Sequence, residues 1–329
     1  MTLHWAPGPQ SRLPSLFLAV VLFLVASEEV RASTFTFTDL GLGVFSEADG
    51  INDRGQVVGL YANGGFLRNR DGTFASTDVP GAGVQHPLGI NNRDEIVGLV
   101  VDPAGRTHGF LLTEKKPFHP DIAGIDVPTA AVTRAHGIND RGQVVGSYTD
   151  QAGGVHGFVD TQGTFQTIDA FNPGASDVNG INNRSQIVGR FVDRTGATHG
   201  FLDDGDRFTQ IDVPKAHTTF ASGINDAGWI VGYFDDQTNT PHGFLRDPSG
   251  RFQQLDFPDA TFTEVLGINN SGELVGVFGR SLETGFAFLA DPIGDLAPTP
   301  EPTTLLLSGT TLAGLGLARW RHGRRKRQR

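Results

Sequence analysis

Chemistry in this 329-residue chain would have to come from its 10 histidines and 36 acids, because cysteine is absent. No thiolate can serve as nucleophile or metal ligand, and no disulfide can form. Four histidines share one context, at His108-Gly109-Phe110, His156-Gly157-Phe158, His199-Gly200-Phe201 and His242-Gly243-Phe244. Imidazoles converging on one ion need bonds of about 2 Å. Evenly spaced copies in separate units would stand apart, so each is expected to bond within its own unit. An aspartate also recurs, at Asp78, Asp126, Asp169, Asp212 and Asp256, before a proline-containing turn in most copies. A turn-capping role is expected of it.

Catalysis by carboxylates needs two of them in different environments, one acid and one base or nucleophile. Residues that recur in every unit share one environment. The off-register acids Glu47, Asp94, Glu95, Glu264 and Glu283 are the alternatives, and nothing in the sequence pairs them. There is no G-x-S-x-G elbow, no Walker loop and no H-E-x-x-H. The expectation is therefore no catalytic residue, no cofactor and no metal ligand. A non-equivalent cluster of acids or histidines at one mouth of a central channel would favour an enzyme instead. Repeat-equivalent residues there would favour binding or structure.

These side chains are positioned by a repeat. The unit GINDRGQVVG begins at Gly50 and returns, with changes, at Gly89, Gly137, Gly180, Gly223 and Gly267, at spacings of 39, 48, 43, 43 and 44. Asn-Asp-Arg-Gly is turn chemistry, with side chains that bond their own backbone and a glycine that accepts positive φ. It resembles a calcium loop only superficially. Calcium takes six to eight oxygens, and three copies carry Asn92, Asn183 and Asn270 in place of the aspartate. A hairpin turn is the better reading.

Each period holds four short extended runs, and the chain's 44 glycines and 24 phenylalanines suit a turn-rich β protein. The runs end at Gly-Ile-Asn, then follow as Val-Val-Gly-x-Tyr, as His-Gly-Phe-Leu, and as a fourth such as Phe208-Thr209-Gln210-Ile211, where a bulge or bend is expected. The first and last periods keep only Gly65-Phe66 and Gly285-Phe286 of the third run. The 48-residue spacing points to a loop insertion around Pro117 to Gly124. A period near 43 belongs to propeller blades. The expected body is an all-β, six-bladed β-propeller of four-stranded repeats over residues 33–296, with a β-solenoid as runner-up. The sixth period lacks a fourth run, and Phe35 to Leu40 looks like that run without a blade, so this N-terminal strand is expected to close the ring. The repeats resemble the HAF family of extracellular repeats, named for a motif that reads His-Gly-Phe here. That resemblance names a repeat and no activity.

The two ends read as addresses. Leu16 to Ala26 is an apolar run too short to span a bilayer, followed by small residues. It fits a signal peptide over residues 1–32, cut by signal peptidase after Ala32. Residues 297–329 contain Pro300-Glu301-Pro302, an apolar stretch from Leu305 to Ala318, and a tail with Arg319, Arg321, Arg324 and Arg325. As a helix that stretch would span about 21 Å and serve as a short transmembrane helix with its interfacial flanks. The tail's seven cations should stay cytoplasmic. The three parts in this order resemble the PEP-CTERM sorting signal of Gram-negative bacteria. The resemblance implies processing by an exosortase, transient inner-membrane anchoring and company with exopolysaccharide. The protein is then expected in the periplasm, at the cell surface or in the extracellular matrix.

Between Ser33 and Pro302 there are 17 cations against 34 acids, a net of −17. So acidic a body argues against nucleic acid as a partner. The reading is a non-catalytic scaffold or binding module, with a polysaccharide-active glycosidase or lyase as the alternative.

Overall fold

A computed structural model of the chain describes residues 34–78, 83–113, 121–171 and 175–294. The segments expected to be a signal peptide and a PEP-CTERM-like sorting signal, including Ala32, Pro300 to Pro302 and the four tail arginines, lie outside the described residues. All described regular structure is β, in 24 strands that form six antiparallel four-stranded sheets. Blades 1 to 5 take their strands in chain order, from Glu47–Ile51 in blade 1 to Phe252–Leu255 in blade 5. Blade 6 takes three strands from residues 262–293, and its fourth is Thr34–Asp39. That strand runs antiparallel to Thr284–Ile293, with Thr34 opposite Ile293 and Asp39 opposite Phe288. The two ends of the body are thereby joined in one sheet, and the fold is a six-bladed β-propeller.

The core lies between blades. Val58 and Leu67 of blade 1 pack with Ile90, Ile96 and Phe110 of blade 2, and the same arrangement recurs at each step. The last cluster joins Val275 and Ala287 of blade 6 to Ala48, Ile51 and Phe66 of blade 1, so the ring is closed by packing as well as by hydrogen bonds. Two glycines make this density possible. A Cβ on Gly146 would stand 1.9 Å from the Arg134 carbonyl oxygen and 2.9 Å from the Phe158 ring. The phenylalanine of His-Gly-Phe therefore lies flat over a residue without a side chain. A Cβ on Gly89 would stand 2.7 Å from the His136 carbonyl oxygen, because neighbouring inner strands touch at that level.

The irregularity expected in the fourth strand belongs to the first. All six inner strands shift register just before the Gly-Ile-Asn glycine, as between Ala48 and Gly50. In blades 1 to 5 the third and fourth strands pair without a shift. Bending is needed where inner strands crowd the axis, not at the rim. Two further expectations are corrected. Asp121–Ile125 is the fourth strand of blade 2 rather than part of a loop. In blade 6 the counterpart of Phe158 is Phe288 and not Phe286, since Phe288 faces Gly276 as Phe158 faces Gly146. The buried ring keeps its spacing of 12 residues from the facing glycine, as between Gly146 and Phe158, and Gly285-Phe286 falls two residues short of it.

Candidate functional site

The inner strands line a channel along the propeller axis, and its two ends differ in kind. At one end the Gly-Ile-Asn turns form a closed polar ring. Asn139 Oδ1 accepts the Arg141 and Gln143 backbone N–H groups at 3.0 Å each, while its Nδ2 donates to the Asn182 carbonyl of the next blade at 3.1 Å. Equivalent inter-blade bonds run from Asn52, Asn91, Asn182 and Asn225, and Asn269 returns to Asn52 across 217 positions. The turn conformation explains the last residue of Asn-Asp-Arg-Gly: Gly142 has φ +77°, and Asp94 and Ser185 adopt +64° and +62° at the same place.

The next residue alternates around the ring as Asp53, Asn92, Asp140, Asn183, Asp226 and Asn270. Each asparagine NH₂ donates to both neighbouring carboxylates, Asn183 to Asp140 at 3.0 Å and to Asp226 at 3.1 Å. Asn92 and Asn270 do the same with their neighbours. Each side-chain Oδ1 accepts a backbone N–H from the preceding blade, as in Asp140 N–H to Asn183 Oδ1 at 2.8 Å. Six carboxylates would repel and six amides would lack acceptors, so alternation satisfies the circle. The space inside is about 70 Å³.

The other end breaks the repeat. One residue before the bulge glycine the channel wall carries Asp49, Leu88, His136, Asn179, Ser222 and Leu266 around a space of about 80 Å³. Two residues nearer the mouth stand Glu47, His86, Arg134, Asp177, Phe220 and Glu264. His86 Nε2 lies 3.1 Å from Glu47 Oε1 and 3.1 Å from Asp49 Oδ2. Burial alone would lower the His86 pKa, but the Asp49 charge and hydrogen bond, helped by Glu47, lift it to about 10. Burial pushes the Asp49 carboxyl up to about 6 against the pull of His86. Glu264 is raised to about 7, by burial first and then by repulsion from Glu47 and Asp235.

The far wall of this mouth is aromatic and cationic. Phe220 stacks on Tyr233 at 4.5 Å between centroids, with the Arg190 guanidinium 5.5 Å from the Phe220 ring centre. Arg190 also pairs with Asp177 at 3.3 Å. His136 Nδ1 lies 2.8 Å from the Val178 carbonyl oxygen. The Tyr233 hydroxyl pKa is raised, chiefly by burial and then by Glu264. Shifted titrations of this kind concentrate at functional sites.

The four repeat histidines do not meet. Each bridges two aspartates of its own blade. His156 Nδ1 lies 2.8 Å from Asp169 and Nε2 3.4 Å from Asp150; His199 holds Asp212 and Asp193 at the same distances. His108 lies 3.0 Å from Asp126, and His242 lies 3.0 Å from Asp256. The aspartates before the proline turns are thus partners of these histidines rather than turn caps, and in blade 1 Asp78 accepts the Gly65 backbone N–H at 3.1 Å. The bulge glycines Gly50, Gly89, Gly137, Gly180, Gly223 and Gly267 form the waist of the channel.

Of the off-register acids, the fold brings Glu47 and Glu264 to one mouth. Asp94 pairs with Arg54 at 3.0 Å at the opposite end, and Glu95 pairs with Arg93 at 2.7 Å. Asp49, His86, His136, Asp177 and Phe220 were missed from the sequence. Their signal was present: one and three residues before each Gly-Ile-Asn glycine, the repeats stop agreeing.

No protein-family model and no curated protein matches the chain. Among solved structures, it is similar to SapL1 lectin in complex with alpha methyl fucoside, at 12% identity over 80% of this chain and 100% of that one, with TM-score 0.51. AofleA from Arthrobotrys oligospora matches at 12% identity over 79% and 90% of the two chains, with TM-score 0.50. A gluconolactonase from Xanthomonas campestris matches at 10% identity over 78% and 89%, with TM-score 0.48. At these identities the likeness is one of fold, and the chain is an all-β, six-bladed propeller.

Proposed function

We propose that the protein is an exported, exosortase-sorted propeller that acts at the bacterial surface or in the matrix, and that the channel mouth lined by Glu47, His86 and Phe220 binds exopolysaccharide. The observation that carries the binding half is the concentration of repeat-breaking residues at that mouth. A scaffold with no ligand has no need to vary two channel-facing positions in nearly every blade while keeping the turns alike. Phe220 and Tyr233 offer an aromatic step, and Glu47, Glu264 and Arg134 supply acceptors and donors for hydroxyl groups. The spaces of about 70 and 80 Å³ behind it are too small for a sugar ring, so the polymer would rest on the mouth. Support for export and sorting comes from the N-terminal apolar run and the Pro-Glu-Pro, apolar and arginine-rich order of the C-terminus.

The test is a glycan-binding screen with the full chain in detergent, repeated with Phe220→Ala and Glu264→Gln. Loss of an identified glycan in both variants supports the reading; a bound glycan indifferent to both refutes it. For the sorting half, removal of residues 300–329 should release the protein from the membrane, and unchanged retention counts against it.

A catalytic reading is favoured by one observation. Asp49 and Glu264 sit in different surroundings, with pKa values pushed to about 6 and about 7. A carboxyl held above its ordinary range is what the acid of a polysaccharide hydrolase or lyase requires. It meets the condition set for an enzyme, of non-equivalent acids at one mouth. Turnover of a polysaccharide that is abolished by Glu264→Gln while binding persists would make this the correct reading.

A further inference from the structure

We propose that Glu47, Asp49 and His86 form a binding site for one divalent transition-metal cation at that mouth of the channel. Their ligand atoms all lie within 4.8 Å of one another, and they come from the inner strands of two adjacent blades. The imidazole nitrogen stands 3.1 Å from each carboxylate oxygen. An ion with bonds of about 2.1 Å holds neighbouring octahedral ligands about 3.0 Å apart. The imidazole nitrogen and each carboxylate are therefore spaced as neighbouring ligands of one such ion, and the two carboxylates come within 4.8 Å of each other.

His86 Nε2 carries a single hydrogen for two carboxylate oxygens at equal distance, so Glu47 and Asp49 share one donor. Glu264, half-buried, adds a third carboxyl to the same mouth from the adjacent inner strand of blade 6. One imidazole with two carboxylates suits zinc or manganese, whereas calcium seeks six to eight oxygens.

This inference rests on the mouth being the functional face, and it adds what that face would use to hold an anionic polymer on a body of net charge −17. The test is titration calorimetry of the full chain in detergent at pH 7 with zinc chloride, then manganese and calcium chloride. One zinc or manganese ion per chain is expected, bound more tightly than calcium. Glu47→Gln and His86→Gln should each weaken it more than about tenfold, since even outer partners of a metal cost about 10–100-fold. Glu283→Gln, in an exposed acid, should leave it unchanged, and circular dichroism melting confirms that each variant is folded. No saturable binding, or binding that ignores both Glu47→Gln and His86→Gln in folded protein, overturns the site. A glycan that binds the mouth equally in chelator sinks the cation and leaves the binding face standing. A cation that binds when no glycan does sinks the binding face alone.

Discussion

Phe37→Ala tests whether the first strand of the body holds the ring shut. Phe37 lies on Thr34–Asp39 opposite Ala290, half-buried, with its ring centre 5.5 Å from Phe288 and 5.5 Å from Phe257. Truncating a fully buried phenylalanine costs about 3–5 kcal/mol. Half burial brings that to about 2 kcal/mol, and the edge-on ring pairs add about 0.5–1.5 kcal/mol. For a body of this size each kcal/mol moves the melting midpoint by about 2–4 °C, so a drop of about 5–14 °C is expected. Leu282→Ala is the control, because Leu282 is 72% exposed and should change little. Deleting residues 33–41 should do more, since it bares the edge of blade 6 and removes Leu40 from the blade 6–blade 1 core. Differential scanning calorimetry of the full chain in detergent reads all three. A midpoint for Phe37→Ala within about 2 °C of the parent, like that of Leu282→Ala, would refute the reasoning.

Three further outcomes are expected. Asn183→Asp places a carboxylate between Asp140 and Asp226 and removes two donors; it should cost about 2–4 kcal/mol at pH 8 and less at pH 4, read by urea unfolding. Burial alone would lower the pKa values of His156 and His199, but the hydrogen bonds and charges of Asp169 and Asp212 raise them. Their stabilisation is complete below the ordinary value of 6.5 and is lost as pH rises through the raised one, so the His156→Ala, His199→Ala double variant should flatten the fall of melting midpoint between pH 6 and 9. Glu264 behaves oppositely to a paired acid. Its pKa is raised from 4.5 to about 7, so stability falls as pH rises through that window, by about 3 kcal/mol at most. Glu264→Gln should melt higher than the parent at pH 8 and alike at pH 4; a lower midpoint at pH 8 would show that the carboxylate is favourably held.

The propeller was legible because its repeat is local. Each Gly-Ile-Asn turn, each Val-Val-Gly run and each His-Gly-Phe is set by contacts inside one period of about 43 residues, and six such periods with one displaced strand leave few other ways to pair every edge. Even the displaced strand at Phe35 to Leu40 could be matched to the blade that lacked it. What did not show was any property created by closure. The Asp and Asn residues of the turns look like tolerated variants along the chain, yet around the ring they alternate, because each asparagine has two hydrogens for two carboxylates. Glu47 and Glu264 stand 217 residues apart in sequence and face each other only after the last blade meets the first. The mouth site depends on the same step. Residues three positions before each glycine become neighbours around an axis that no single repeat contains, and their burial and mutual repulsion, which set their acidity, exist only there.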